Sequence, residues 1–198
     1  MTAGSTGDNS EYDDRPDCPP PADVVRAYRH LLPQTGRALD LACGLGGNAL
    51  VLAHCGLQTE AWDWNADALR QLATNAARLN LAITTRQRDV EAAPPAAEQF
   101  DVITVSHFLH RPTLAALRRA VRPGGLILYQ TFRDERVNTT GPRNPDYLLK
   151  DNELLQLFAG FMVRAYRDEG RIGRPAFGWR NKAMIVAQRP AHSEASEA

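Results

Sequence analysis

Short apolar runs alternate along this chain with longer stretches in which apolar residues recur three or four positions apart. Runs of the first kind predict strands at residues 38–41, 57–62, 82–87, 100–105, 161–167 and 183–188. A further strand is entered through the turn Arg122-Pro-Gly-Gly and ends at Phe132. The second pattern predicts helices. Val24, Val25, Tyr28, Leu31 and Leu32 fall at helical spacing over 22–32, and Pro33 stops the run. A helix over 47–54 ends at Cys55-Gly56, with glycine as its cap. Leu69, Leu72, Ala76 and Leu79 share one face of a helix over 67–79 that Asn65 is placed to cap. Pro112 opens a helix over 112–121, and Asp151 is expected to cap another over 152–159. Strand and helix thus alternate, which predicts an α/β fold with a mostly parallel sheet.

The remaining stretches carry neither period. Residues 1–21 are rich in Gly, Ser, Asp and Pro and read as a disordered tail, residues 22–190 as one domain, and 191–198 as a second tail. Residues 133–150 form a long connection, a length that compact domains keep mainly for loops over a site.

Composition narrows the class. A chain of 198 residues is large enough for one core. With 23 basic and 23 acidic residues it has no net field to draw it to nucleic acid or to an anionic membrane. Its basic residues are 21 Arg, with Lys150 and Lys182 the only lysines. Cys18, Cys43 and Cys55 are odd in number and lack metal-ligand spacing, so no metal is expected and a reducing, cytoplasmic setting is. No apolar run reaches the length of a membrane span. The expected partner is a small molecule, and the expected assembly a monomer or homodimer.

The chemistry centres on Leu39-Asp-Leu-Ala-Cys-Gly-Leu-Gly-Gly-Asn-Ala49, a strand that turns on glycines into a helix. Such a turn brings backbone N–H groups close to a ligand lying over the sheet. Asp40 sits inside the strand, four positions before Gly44. Asp63 ends the second strand nineteen residues after Gly44, near the spacing of the carboxylate that takes ribose hydroxyls in nucleotide-binding folds. Asn65 is the better helix cap, which leaves Asp63 for a ligand, and Trp64 beside it is placed to cover an adenine face. Asp89-Val90 follows the third strand and Ser106-His107-Phe108-Leu109-His110-Arg111 the fourth.

The hydrophobic-Asp-hydrophobic-x-Cys-Gly-x-Gly pattern, together with Arg122-Pro-Gly-Gly before an apolar strand, resembles the class I S-adenosylmethionine-dependent methyltransferases. Phe108 to Pro112, Tyr129 to Phe132 and Gly141 to Leu149 narrow that resemblance to small bacterial tellurite-resistance-type members. The resemblance implies a Rossmann-like three-layer sandwich with a seven-stranded sheet, order 3-2-1-4-5-7-6, and strand 7 antiparallel. It also implies S-adenosylmethionine as cofactor. The methionine end falls to Asp40, Cys43, Gly44, Gly46 and Asn48, and the ribose and adenine to Asp63, Trp64, Asp89 and the Val90 N–H, with Ser106 in the same set. Cys43 is read as a packed small residue rather than a nucleophile.

Methyl transfer needs placement and dryness more than a catalytic group. A base serves only an acceptor that must lose a proton, and His107 and His110 are the candidates. The motif of amino-group methylators after strand four is absent, which disfavours amide or base N-methylation. The connections after strands four to six carry Arg111, Arg133, Arg136, Arg143, Arg171, Arg174 and Arg180. That excess points to a small anionic or oxyanion acceptor, with Arg143, Arg111 and Tyr147 as its contacts, and a thiol compound is the other acceptor class expected. Two other functions fit parts of the pattern: a cofactor-binding module acting through a partner, and a nicotinamide-dependent oxidoreductase. The latter leaves Arg122-Pro-Gly-Gly unexplained.

Overall fold

A computed structural model describes residues 18–191. Seven strands form one sheet: β1 (Arg37–Leu41), β2 (Gln58–Asp63), β3 (Ile83–Gln87), β4 (Phe100–Ser106), β5 (Val121–Phe132), β6 (Met162–Arg167) and β7 (Lys182–Gln188). Their order is β3-β2-β1-β4-β5-β7-β6. All pairings are parallel except those of β7, which runs antiparallel to both β5 and β6. The helices are α1 (Asp23–Tyr28), α2 (Gly47–His54), α3 (Ala66–Arg78), α4 (Arg111–Ala120) and α5 (Glu153–Leu157). The three-layer sandwich and strand order are those the sequence resemblance implied.

Period-two alternation sends strand residues to two cores. Ala38, Val102, Leu128 and Val186 face the layer of α1, α2 and α3, packing with Val24, Val25, Leu50 and Leu72. Leu39, Ile103, Ile127 and Ile185 face the other side, with Leu114 and Leu117 of α4 and Leu154 and Phe158 of α5 or its end. β1 and β4 are buried on both faces, which is why apolar residues fall on both of their faces rather than on alternate positions only.

Several ends differ from expectation. The first helix becomes a 3-10 turn at Arg29–Leu31. α5 begins at Glu153, with Asn152 as an uncapped left-handed residue. Asp151 does not cap it, because its carboxylate binds the Arg133 guanidinium instead. Asn65 caps α3 as expected, accepting from Asp67 N and Ala68 N at 2.9 and 3.2 Å.

The boundary at residue 21 also shifts. Cys18 packs against the core. Pro19 and Pro20 lie so close to α2 that a Cβ on Gly47 would come within 2.3 Å of the Pro20 carbonyl oxygen. The chain is therefore tied to the sheet before residue 22. The expected tails at 1–17 and 192–198 lie outside the described residues.

Candidate active site

β1 ends in a turn that the backbone makes with unusual angles. Ala42, Gly44 and Gly46 all take positive φ, at 53°, 52° and 79°. Gly46 is the N-cap of α2, and its N–H donates to the Cys43 carbonyl at 2.9 Å. A Cβ on Gly44 would meet no atom within 4 Å, so that position is left open on the loop's outer side.

Two cavities lie over the carboxyl ends of the parallel strands, the place where α/β sheets receive ligands. The first, about 610 Å³, is walled by Asp63 and Trp64 after β2, by Arg88 to Glu91 after β3, and by Ser106 to Leu109 after β4. Pro142 and Tyr147 of the long connection close its far side. The second, about 490 Å³, is walled by the glycine loop, by Pro19 to Asp23 with Arg26, and by Lys182. Ala42, Ser106 and His107 belong to both, so the cavities meet at the end of β4.

Asp63 is nearly buried and stands at the first cavity's edge. Its two oxygens accept from Gly44 N and Asn65 N, each at 2.8 Å. The expectation that Asp63 stands free is thus corrected: it also braces the glycine loop, and each oxygen retains a second lone pair for a ligand. Trp64 is 76% exposed beside it. Asp89 shapes its own turn, accepting from Glu91 N and Ala92 N at 2.9 and 3.2 Å, while Val90 is buried in the wall.

Asp40 is a correction of a different kind, since it lines neither cavity, whereas Asn48 lines the second with its amide already engaged. Asp40 is wholly buried, accepting from Thr104 Oγ1 at 2.9 Å, Ala49 N at 3.1 Å and Asn48 Nδ2 at 3.2 Å. Burial pushes its carboxyl up to about 7 in spite of these bonds. Asp40 therefore ties β1, β4 and the start of α2 together behind the loop. Asn48 is 4% exposed. Its amide donates to Asp40 and to Ser106 Oγ (3.1 Å), and its Oδ1 accepts from Ala22 N at 2.8 Å. Gln130 does the same for Val24 N at 2.8 Å. α1 has no side-chain cap of its own, so two amides from distant elements satisfy its first donors.

Cys43 sits in the loop wall, its Sγ 3.6 Å from the Gly44 carbonyl oxygen. Burial raises its thiol far above the ordinary range, with Asp40 and Asp63 adding to the effect. That is the chemistry of an inert, packed residue.

The two histidines separate. His107 holds positive φ, packs its ring 5.2 Å from that of Phe132, and faces both cavities. Burial lowers its pKa, Lys182 lowers it further, and Asp23 opposes both only in part, a balance that favours the neutral imidazole. His110 does not line either cavity. It is the N-cap residue of α4, with Nδ1 bonded to Thr113 Oγ1 and Nε2 3.7 Å from Glu91.

The arginines give the largest correction. Arg111 is consumed by the scaffold: its Nε and Nη2 donate to Glu153 at 2.6 and 2.9 Å, and Nη2 also reaches the Leu148 carbonyl. Hydrogen bonding to Glu153 raises its pKa. Arg133 is buried among Asp168, Asp151 and Glu135, with only Nε unpartnered. Arg136 binds the carbonyls of Thr140 and Pro142, Arg171 that of Arg136, and Arg180 those of Phe177, Glu169, Gly170 and Arg174. Arg143 is exposed and lines neither cavity, whereas Tyr147 is half-exposed in the first one's wall.

Residues that sequence reasoning passed over also line the site. Ala42 stands where the backbone needs a left-handed turn, a position with no visible mark in its side chain. Lys182 and Asp23 come from the two ends of the domain, and only the triple proline before Ala22 hinted that this segment is fixed.

Comparison with known proteins agrees with this geometry. A family model described as a methyltransferase domain matches residues 38–125. A probable S-adenosyl-L-methionine-dependent methyltransferase, TehB of Haemophilus influenzae, is 34% identical over 98 residues, 48% of this chain and 33% of that protein. An uncharacterised Mycobacterium tuberculosis protein is 32% identical over 96 residues, 46% of this chain and 35% of the relative. The chain spans about a third of the length of these curated relatives. Among solved structures, that of Haemophilus influenzae TehB superposes with a TM-score of 0.67 at 23% identity, covering 84% of this chain and 61% of TehB. In sheet order, glycine loop and these partial matches the chain is similar to S-adenosylmethionine-dependent methyltransferases, TehB among them.

Proposed function

We propose that the protein transfers a methyl group from S-adenosylmethionine to a small-molecule acceptor that reacts as a thiolate or an oxyanion. The observation that carries this reading is the meeting of two cavities at Ala42, Ser106 and His107, with the glycine loop on one side and Asp63 on the other. The residues fit the cofactor. Gly44 leaves open the space that a Cβ would take, and the buried Asp63 carboxylate keeps lone pairs for a ribose diol. Trp64, Asp89 and Val90 offer a flat face, an acceptor and a backbone donor for a purine. When bound, the cofactor supplies an electrophilic methyl carbon on a sulfonium.

The chain's own part is placement and proton handling. Phe108, Leu109, Pro142 and Tyr147 give the first cavity an apolar wall, and His107, its pKa lowered by burial, is placed to accept a proton at the junction. His110 takes no part, because its ring is engaged with Thr113 at the start of α4. In this reading the protein acts as a monomer or homodimer. Among the described residues no helix is long and apolar enough to cross a membrane.

Calorimetry tests the cofactor directly: S-adenosylmethionine and S-adenosylhomocysteine bind, and NAD does not. Binding of NAD alone overturns the reading. Turnover of labelled S-adenosylmethionine on thiols and oxyanions separates an enzyme from a module that only binds.

A further inference from the structure

Within a chain that uses arginine for nearly every cation, one of its two lysines sits in the wall of the site. Lys182 opens β7 and pairs in register with Phe132, the last residue of β5. Its ammonium lies 5.6 Å from the ring centroids of both Phe132 and Trp179. The counter-ion is loosely held: Asp23 Oδ2 is 3.8 Å away, and the same carboxylate also receives Arg26 and, at 3.4 Å, Gln130 Nε2. The Lys182 side chain is 23% exposed and belongs to the wall of the second cavity. Arg111, Arg133, Arg136 and Arg180, by contrast, are turned inward onto carboxylates and carbonyls.

Sheet order locates Lys182 relative to the cofactor. The glycine loop follows β1 and Asp63 ends β2, whereas β7 lies three strand spacings beyond β1, roughly 14 Å away. Lys182 and His107 therefore stand on the β4–β5–β7 side, with Phe132 between them.

We infer that Lys182 is the acceptor-binding cation of this site, holding the attacking atom of a small acceptor that reacts as an anion, while His107 receives that atom's proton. This rests on the methyl-transfer reading above and names the residue that completes it. The acceptor's lone pair forms the bond to the methyl carbon. That carbon's bond to the sulfonium sulfur breaks, and the sulfur keeps the pair and loses its charge. The acceptor's proton passes to the imidazole, next to which Lys182 disfavours a second positive charge until the anion arrives. An ammonium suits this task because it is a compact charge with rotatable donors, whereas a guanidinium fork demands a planar partner.

The presence of only two lysines makes the test clean. In a complex with S-adenosylhomocysteine, acylation of Lys182 by an amine reagent is followed by mass spectrometry, with Lys150 as internal control. Addition of 2-mercaptoethanol or selenite is expected to slow Lys182 labelling at least fivefold and leave Lys150 unchanged. Protection by the thiol assigns a thiolate acceptor and protection by selenite an oxyanion. Protection below fivefold with both probes overturns the inference. Lys182→Gln is expected to lower kcat/KM for whichever of these acceptors is turned over at least tenfold, with partial rescue in Lys182→Arg, and to leave S-adenosylhomocysteine affinity within twofold. A smaller kinetic loss overturns the inference. So does a tenfold fall in S-adenosylhomocysteine affinity, which would place Lys182 on the cofactor's methionine carboxylate. A wild-type protein that binds no S-adenosylhomocysteine fails at the earlier reading instead.

Discussion

The glycine-loop end of the sheet and the arginine-rich end use charge in opposite ways. At the first, Asp63 spends its hydrogen bonds on two backbone N–H groups and still faces a cavity. At the second, Arg133 and Arg111 are enclosed by their own carboxylates and carbonyls and hold loops in place. Seen in sequence, the arginines looked like a binding surface and Asp63 like a free carboxylate for ribose hydroxyls. Long side chains find the nearest partner in space, and here that partner was supplied by the same loops. An excess of one charge type along a loop is therefore weak evidence of a ligand until its partners are known.

The largest effect expected from this contrast is at Arg133. Replacement by Ala leaves the nearly buried Asp168 carboxylate without its cation, and loss of one partner of a buried pair costs about 3–5 kcal/mol. Urea unfolding at neutral pH should show that loss. Near-normal stability with collapsed turnover would move Arg133 from scaffold to acceptor site and break the comparison.

Asp63→Ala tests the other end. A charge-assisted hydrogen bond is worth about 1.5–3 kcal/mol, or roughly 10- to 150-fold in affinity. Calorimetry with S-adenosylmethionine should register a loss in that range, and unchanged affinity would show that Asp63 only braces Gly44.

Asp40 sharpens the comparison through pH. Its folded-state pKa, about 7, lies above the ordinary 3.8. Between those values the unfolded chain gives up this proton more readily than the folded one, so this group's contribution to stability is present at low pH and is lost as pH rises toward 7. The slope is at most about 1.4 kcal/mol per pH unit. Denaturant titrations across that window should show the Asp40→Asn variant lacking this slope. An identical profile would mean that the carboxyl is ionised throughout.

The smallest effect is expected at Arg143, whose guanidinium pairs with none of the described residues and lines neither of the two cavities. Arg143→Ala should change stability by no more than about 0.5 kcal/mol, as for most surface positions. Its kcat/KM should stay within twofold of the wild type. A tenfold kinetic loss would restore the anion site that the sequence suggested.

Local pattern determined much of this protein. Apolar runs and helical spacing placed all seven strands and most helix cores, because burial on one or both faces of an element writes a period into its own residues. The loop from Leu39 to Ala49 was legible for the same reason, since a strand, a turn and a helix start are adjacent in the chain. Tertiary structure alone decided which polar groups meet. Asn48 reaches Ala22, Gln130 reaches Val24, and Lys182 comes beside His107 and Asp23 across separations that no local period records. A polar side chain's role depends on whether its donors and acceptors are already satisfied, and that is settled by neighbours brought together in space rather than in sequence.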